Sequence, residues 1–93
     1  MTYAKRTDAN HRIVLEALRA CGWHCEDTSR SGRGFPDLVC GKGGRLVLIE
    51  IKDGDKAPSK QQLTKDEARV HAAFLQAGCP VQIVRSVDEA VTL

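Results

Sequence analysis

Two carboxylates and a lysine carry the chemical content of this chain. Asp37 lies in the run Gly34-Phe35-Pro36-Asp37-Leu38, and Glu50-Ile51-Lys52 closes the run Arg45-Leu46-Val47-Leu48-Ile49-Glu50-Ile51-Lys52. The first run enters a strand and the second is a strand. Successive strand side chains alternate faces, so Glu50 and Lys52 point the same way while Ile51 points into the opposite layer. A hairpin turning through Gly41-Lys42-Gly43-Gly44 brings Asp37 alongside them. Two carboxylates and one ammonium at a single spot are what metal-assisted phosphodiester hydrolysis needs. Carboxylate oxygens hold a hard divalent cation. The cation polarises a phosphoryl oxygen and lowers the pKa of a bound water. The lysine steadies the developing charge or positions the attacking water. Asp37, Glu50 and Lys52 are therefore the candidate catalytic residues, with Asp37 and Glu50 as ligands of Mg²⁺ or Mn²⁺. The competing readings are an Asp37 that satisfies turn amides and a Glu50–Lys52 salt bridge on a solvated face. The apolar neighbours on both sides of Glu50 argue against the second, because a charge there must be paired or bind metal.

The same residues resemble the PD-(D/E)xK nuclease signature: Pro36-Asp37, twelve intervening residues, then Glu50-x-Lys52. A longer string is similar to the short, stand-alone VRR-NUC-type proteins of phages and prophages. It comprises Gly34-Phe35-Pro36-Asp37-Leu38, Glu50-Ile51-Lys52-Asp53-Gly54, Pro58-Ser59, Leu63-Thr64-x-Asp66-Glu67 and Val84-Arg85-Ser86, and spans the chain from about Asp8 to Val91. The resemblance implies a restriction-endonuclease-like α/β core that acts as a DNA endonuclease. It also implies that the backbone carbonyl of Ile51 is a further metal ligand. Short chains of this type carry Asp-x-Asn at the start of the first helix, which points to Asn10. Other members of the superfamily use a glutamate on that helix, for which Glu16 is the candidate. Many VRR-NUC domains place Gln where this chain has Glu67, whereas the short members have Glu. Stand-alone versions resemble Holliday-junction resolvases, which act as two-fold dimers because symmetric cutting needs two sites. A homodimer acting on branched DNA is the resulting expectation, with plain duplex as the other DNA substrate.

Ninety-three residues make one small domain, 1–93, with a modest core. The formal net charge is only +2, but a carboxylate-rich site masks local basic patches, so net charge is a poor witness to a nucleic-acid partner. Aromatic residues make up 4% of the chain, too few for extensive base stacking, so contacts to the phosphate backbone are expected instead. No base-reading module is visible, which favours readout of DNA shape. There is no secretory apolar segment and no apolar run near membrane-spanning length. A cytoplasmic protein, in a bacterial or phage-infected cell, with no membrane partner is expected. Cys21, Cys25, Cys40 and Cys79 are separated by 3, 14 and 38 residues, without a Cys-x-x-Cys pair, so neither zinc nor an iron–sulfur cluster is expected. Cys21, Cys40 and Cys79 read as small buried hydrophobes.

The elements that must position these groups read in the order α-β-β-β-α-β-α, a mixed four-stranded sheet flanked by helices. A helix from about Asp8 to Ala20 is capped by Asp8 or Thr7, with Ile13, Val14, Ala17, Leu18 and Cys21 on its apolar face. Residues 23–28 alternate as a first strand, and 29–34 form a loop. Leu38-Val39-Cys40 is the second strand, and Arg45–Lys52 is a third with the near-continuous apolar pattern of a doubly covered strand. A polar loop covers 53–59. Thr64-x-x-Glu67 fits a capping box at the start of a second helix, whose buried stripe is Val70, Ala73, Phe74 and Ala77. Pro80–Val84 is a fourth strand parallel to the third, and Ser86 caps a last helix over 87–91.

Several residues keep two readings. Asn10 reaches a metal-bound water or a phosphate, or ties its helix to a loop. Glu16 belongs to the site or is solvated, and Glu67 serves the site or only the capping box. His11, His24 and His71 read as packing or surface residues. Arg30, Arg33, Lys42, Lys56, Lys60 and Lys65 are the basic residues that could hold DNA, with Lys5 and Arg6 as further phosphate contacts. Gln61 and Gln62 are polar candidates or solvated loop residues. Beside the endonuclease stand two other functional classes, a nuclease subunit that works only with a partner and a non-catalytic nucleic-acid-binding module.

Overall fold

The computed structural model describes residues 9–93; Lys5, Arg6, Thr7 and Asp8 lie outside the described residues. Helix α1 (Ala9–Ala20) leads into strand β1 (His24–Asp27), then β2 (Leu38–Lys42) and β3 (Arg45–Ile51). A single 3₁₀ turn, Pro58–Lys60, precedes helix α2 (Lys65–Gln76), strand β4 (Gln82–Val84) and helix α3 (Val87–Val91). The sheet order is β1-β2-β3-β4, antiparallel except for the parallel pairing of β3 with β4. The mixed α/β sheet and its element order are those expected from the sequence. The 3₁₀ turn was not.

The β2–β3 turn is tighter than expected. Gly41 and Lys42 remain in β2, and Lys42 pairs with Arg45. Only Gly43 and Gly44 turn the chain, with φ of 56° and 81°. Two consecutive positive φ values are the signature of the hairpin turn that matches strand twist, and glycine adopts them without a β-carbon clash.

One face of the sheet is well covered. Leu38, Cys40, Ile49, Ile51 and Val84 pack there against Val14, Leu15 and Leu18 of α1 and Ala90 of α3, together with Trp23 and Cys25. The buried side of α1 is His11, Val14, Leu15 and Leu18; of the expected face Val14 and Leu18 are fully buried and Ala17 and Cys21 partly, whereas Ile13 is half-exposed. The reason is polar: His11 turns inward to meet Asp27 at 3.0 Å, and this sets the roll of the helix. Burial alone would raise the Asp27 carboxyl, but bonds from the Ser29 hydroxyl and amide and from His11 outweigh it and lower it to about 2. Cys25 and Cys40 are buried register partners with their sulfurs 3.0 Å apart, and burial raises the Cys40 thiol. All four cysteines are free. Cys79, expected in the core, is exposed beyond the end of α2.

The other face carries α2, and no residue of that helix is fully buried. Its inward stripe is Glu67, Val70, His71 and Phe74, spaced as one helical face. Ala73 and Ala77, expected in the stripe, are exposed. Burial along β3 falls off toward the hairpin: Ile49–Ile51 are buried, Val47 and Leu48 only partly, and Leu46 is 75% exposed. A groove of about 480 Å³ opens there, lined by Leu46, Val47, Leu48, Phe74, Cys79 and Pro80 among others. Among the described residues, no helix is long and apolar enough to cross a membrane.

Loop 28–36 fixes the start of α2. Gly34 has φ of 79°, and a β-carbon there would lie 2.3 Å from the Asp66 carbonyl carbon and 2.6 Å from the Glu67 nitrogen. Phe35 meets Phe74 edge to face, and Arg69 Nη2 donates to the Arg33 carbonyl. Gly32 has a similar φ of 73° with open space around it. Gly32→Ala is expected to cost about 1–3 kcal/mol from backbone conformation alone. Gly34→Ala should cost distinctly more, because α2 must also move. Urea unfolding of the two variants side by side measures the difference, and equal losses would show that Gly34 does not set the helix position.

Candidate active site

Asp37 precedes β2 by one residue, and its place in the hairpin follows from the register. Leu38 pairs with Ile49, so the next step of an antiparallel ladder sets Asp37 opposite Glu50. Both then project on the α2 face, away from the apolar layer of Leu38 and Ile49. The backbone of Asp37 is tied to β1 by a 2.8 Å bond from the Thr28 amide, and the Thr28 hydroxyl holds the Pro36 carbonyl at 2.7 Å. Asp37 Oδ2 accepts from the Ile51 amide at 2.8 Å. A strand residue points its amide and carbonyl to the same side, so the Ile51 carbonyl also faces the Asp37 edge.

Glu50 is 1% exposed. Its Oε1 lies 3.1 Å from His71 Nε2, and the Asp37 carboxyl stands close enough to act on it. Burial comes first among the causes that push Glu50 up, followed by the Asp37 bond and repulsion from Asp37 and Glu67. Against the pull of Lys52, they raise it to about 9. Lys52 donates from Nζ to Glu67 Oε1 at 3.0 Å, with both side chains largely buried. The same Glu67 oxygen accepts from the Thr64 amide, while Thr64 Oγ1 accepts from the Glu67 amide, so the capping box is formed. Glu67 therefore caps α2 and, through Lys52, also reaches the carboxylate cluster. Burial pushes Glu67 up, but the Thr64 amide and Lys52 outweigh it and leave the carboxyl below its usual value.

Asn10 reaches this end of the sheet from α1. Its Nδ2 donates to the carbonyls of Lys52 at 2.8 Å and Arg85 at 3.2 Å, pinning the ends of β3 and β4. Glu16 does not join the cluster. It is exposed and paired with Arg12 at 3.7 Å, on the opposite side of α1 from His11 and Leu15. His71 does join it, although its sequence context read as packing. Desolvation lowers the basicity of its ring. The available sequence signal was its spacing: Glu67, His71 and Phe74 share one helical face.

The basic candidates divide by place. Arg30 and Arg33 sit on the loop that leads to Asp37, and Lys56 and Lys60 on the segment that leaves Lys52; all four are exposed, as is Lys65. Lys42 is elsewhere. It lies five residues along β2 from Asp37, about 16 Å away at the rise of a strand, and stacks over Trp23 together with Arg45. Gln61 turns back onto the Lys56 carbonyl at 2.6 Å.

No family model and no curated protein matches the chain. A solved structure described as a VRR_NUC domain is similar with a TM-score of 0.65, over 88% of this chain and 86% of that one, at 27% identity. This chain has a VRR-NUC-type nuclease fold. The Asp37–Glu50 cluster lies where the hairpin of this VRR-NUC-type fold meets α2.

Among the described residues, no three His, Cys, Asp or Glu side chains are grouped as a metal cage. The donor set is smaller: two carboxylates in contact, plus a main-chain carbonyl on the same edge. All are oxygen donors, as a hard divalent cation requires, and a cation there could take the place of the proton that burial, with the neighbouring Asp37 carboxyl, keeps on Glu50. The residues fit such an ion.

A raised carboxyl pKa means that the folded protein holds a proton the unfolded chain releases. Stability from this source is full below the ordinary Glu value and is lost as pH rises toward 9. His71, held below its usual value, acts in the opposite sense at lower pH, so the window for Glu50 is pH 7 to 9. In EDTA, stability measured by urea unfolding should fall across that window. Glu50→Gln should flatten the fall, and an unchanged slope in the variant would refute the assignment.

Proposed function

We propose that this protein is a Mg²⁺- or Mn²⁺-dependent DNA endonuclease that acts as a homodimer on branched DNA such as a four-way junction. The observation that carries this reading is the register that sets the half-buried Asp37 carboxyl opposite the buried Glu50 carboxyl, beside Lys52, within a VRR-NUC-type fold. Asp37, Glu50 and the Ile51 carbonyl would hold the ion. When bound, it supplies Lewis-acid polarisation of the scissile phosphate and a more acidic water.

The remaining work falls to the chain itself. The Ile51 amide fixes one oxygen of Asp37 and so orients the other. Glu67, anchored by the α2 cap, holds Lys52 at the cluster. An ammonium has three donors, so Lys52 can keep Glu67 and still meet a phosphate oxygen. Asn10 keeps the ends of β3 and β4 in register beneath it. Arg30 and Arg33 on one side and Lys56 and Lys60 on the other form a basic path for the DNA backbone past the carboxylates. Such contacts carry no sequence information, in keeping with recognition of shape. The apolar groove at Leu46, Leu48, Phe74 and Pro80 supports the homodimer, since an exposed patch of this kind marks an interaction surface.

Cleavage of a labelled four-way junction beside matched duplex and single strand, with Mg²⁺ or Mn²⁺, tests the activity. The junction should be cut preferentially, EDTA should abolish cutting, and Glu50→Ala should lose at least about a hundredfold in rate. Absence of cutting with DNA binding retained would instead favour a partner-dependent subunit or a binding module. Light scattering during gel filtration should give a dimer mass for the wild type and a monomer for Leu46→Glu, an exposed substitution that leaves the core alone. A monomeric wild type would overturn the dimer.

A further inference from the structure

His71 has no part in the reaction set out above, yet it is delivered to the cluster. Its side chain is 11% exposed, and its Nε2 lies 3.1 Å from Glu50 Oε1. The helix that carries it is held on both sides: Gly34 abuts its first turn, Lys52 grips Glu67 one turn before, and Phe35 meets Phe74 almost one turn after. Glu50 thus stands between Asp37 and His71.

Ligands at about 2.1 Å from an octahedral ion lie about 3.0 Å from their neighbours. His71 Nε2 and Glu50 Oε1 already have that separation. A hydrogen bond gives a similar distance, so the two arrangements interconvert without moving α2. Asp37, Glu50 and His71 are not grouped as a three-ligand cage, so side-chain rotation would have to bring Asp37 onto an ion held by Glu50 and His71. An imidazole nitrogen is a ligand that Mn²⁺ accepts and that Mg²⁺, with its preference for oxygen and water, does not favour.

Resting on the metal-dependent reading above, we propose that His71 is a cation ligand beside Glu50 and that it tilts the site toward Mn²⁺ over Mg²⁺. The alternative role is a positioning residue that only orients the Glu50 carboxyl. Gln in place of His71 separates the two, since its amide can still hold Glu50 but offers no basic nitrogen.

The test is electron-spin-echo envelope modulation on the full chain with one equivalent of manganese(II) chloride and no DNA, at natural abundance and with ¹⁵N-histidine. Direct ligation should give ¹⁴N modulation that changes on labelling and disappears in His71→Gln. The variant should also bind Mn²⁺ about ten- to a hundredfold more weakly, with Mg²⁺ affinity changed less than about threefold. Mn²⁺ that binds, and is released by Asp37→Asn, but shows no histidine modulation would overturn the His71 assignment and leave the metal-dependent reading standing. A wild type that binds no Mn²⁺ would overturn both. The labelled wild-type spectrum needs no substitution, so the outcome does not depend on how well the variant folds.

Discussion

The contact between the Asp37 and Glu50 carboxyls exists because of a hairpin. A two-glycine turn pairs Lys42 with Arg45 and carries the ladder back to Leu38 and Ile49. Strand geometry alone then sets Asp37 against Glu50 and turns both from the apolar layer. Burial first, and the facing Asp37 carboxyl second, leave Glu50 with a proton that it keeps up to about 9. Everything else near the site holds or compensates this pair. Thr28 anchors the approach to Asp37, the Ile51 amide takes one of its oxygens, and His71 meets Glu50.

The two faces of the sheet divide the labour. The face under α1 and α3 holds the apolar core and supplies most of the burial that drives folding. The face under α2 holds the polar cluster, and α2 contributes no fully buried residue. That helix stays in place through directional contacts: the Lys52–Glu67 pair, the His71–Glu50 bond, the close approach of Gly34 and one aromatic pair. Polar contacts of this kind are individually worth little net energy but are strict about geometry. The helix and the cluster therefore order each other.

Much of this was legible in the sequence, for definite reasons. Strand alternation reports faces directly, so the sequence alone brings Asp37, Glu50 and Lys52 together. The capping box at Thr64 and Glu67 is a local code and reads as such. What failed was long-range. Apolar spacing favours Ala73 and Ala77 for the stripe of α2, whereas the surface it covers is polar and selects Glu67 and His71. The partner of His71 lies 21 positions away, and nothing near it announces Glu50. Ile13 lost the core to His11 for the same reason, since the partner of His11 is Asp27 on β1. Lys42 follows closely on Asp37 in sequence, but an extended strand turns that interval into distance.

The hairpin also makes the separation between the two halves of the cluster a matter of parity. Adding one residue to each arm of β2 and β3 preserves the facing of Asp37 and Glu50. A single added residue reverses one arm unless a bulge absorbs it. The segment between the two acids can therefore change length freely only in even steps, whereas the loop after Lys52 obeys no such arithmetic. The chain between residues 37 and 50 acts as a ruler graduated in pairs.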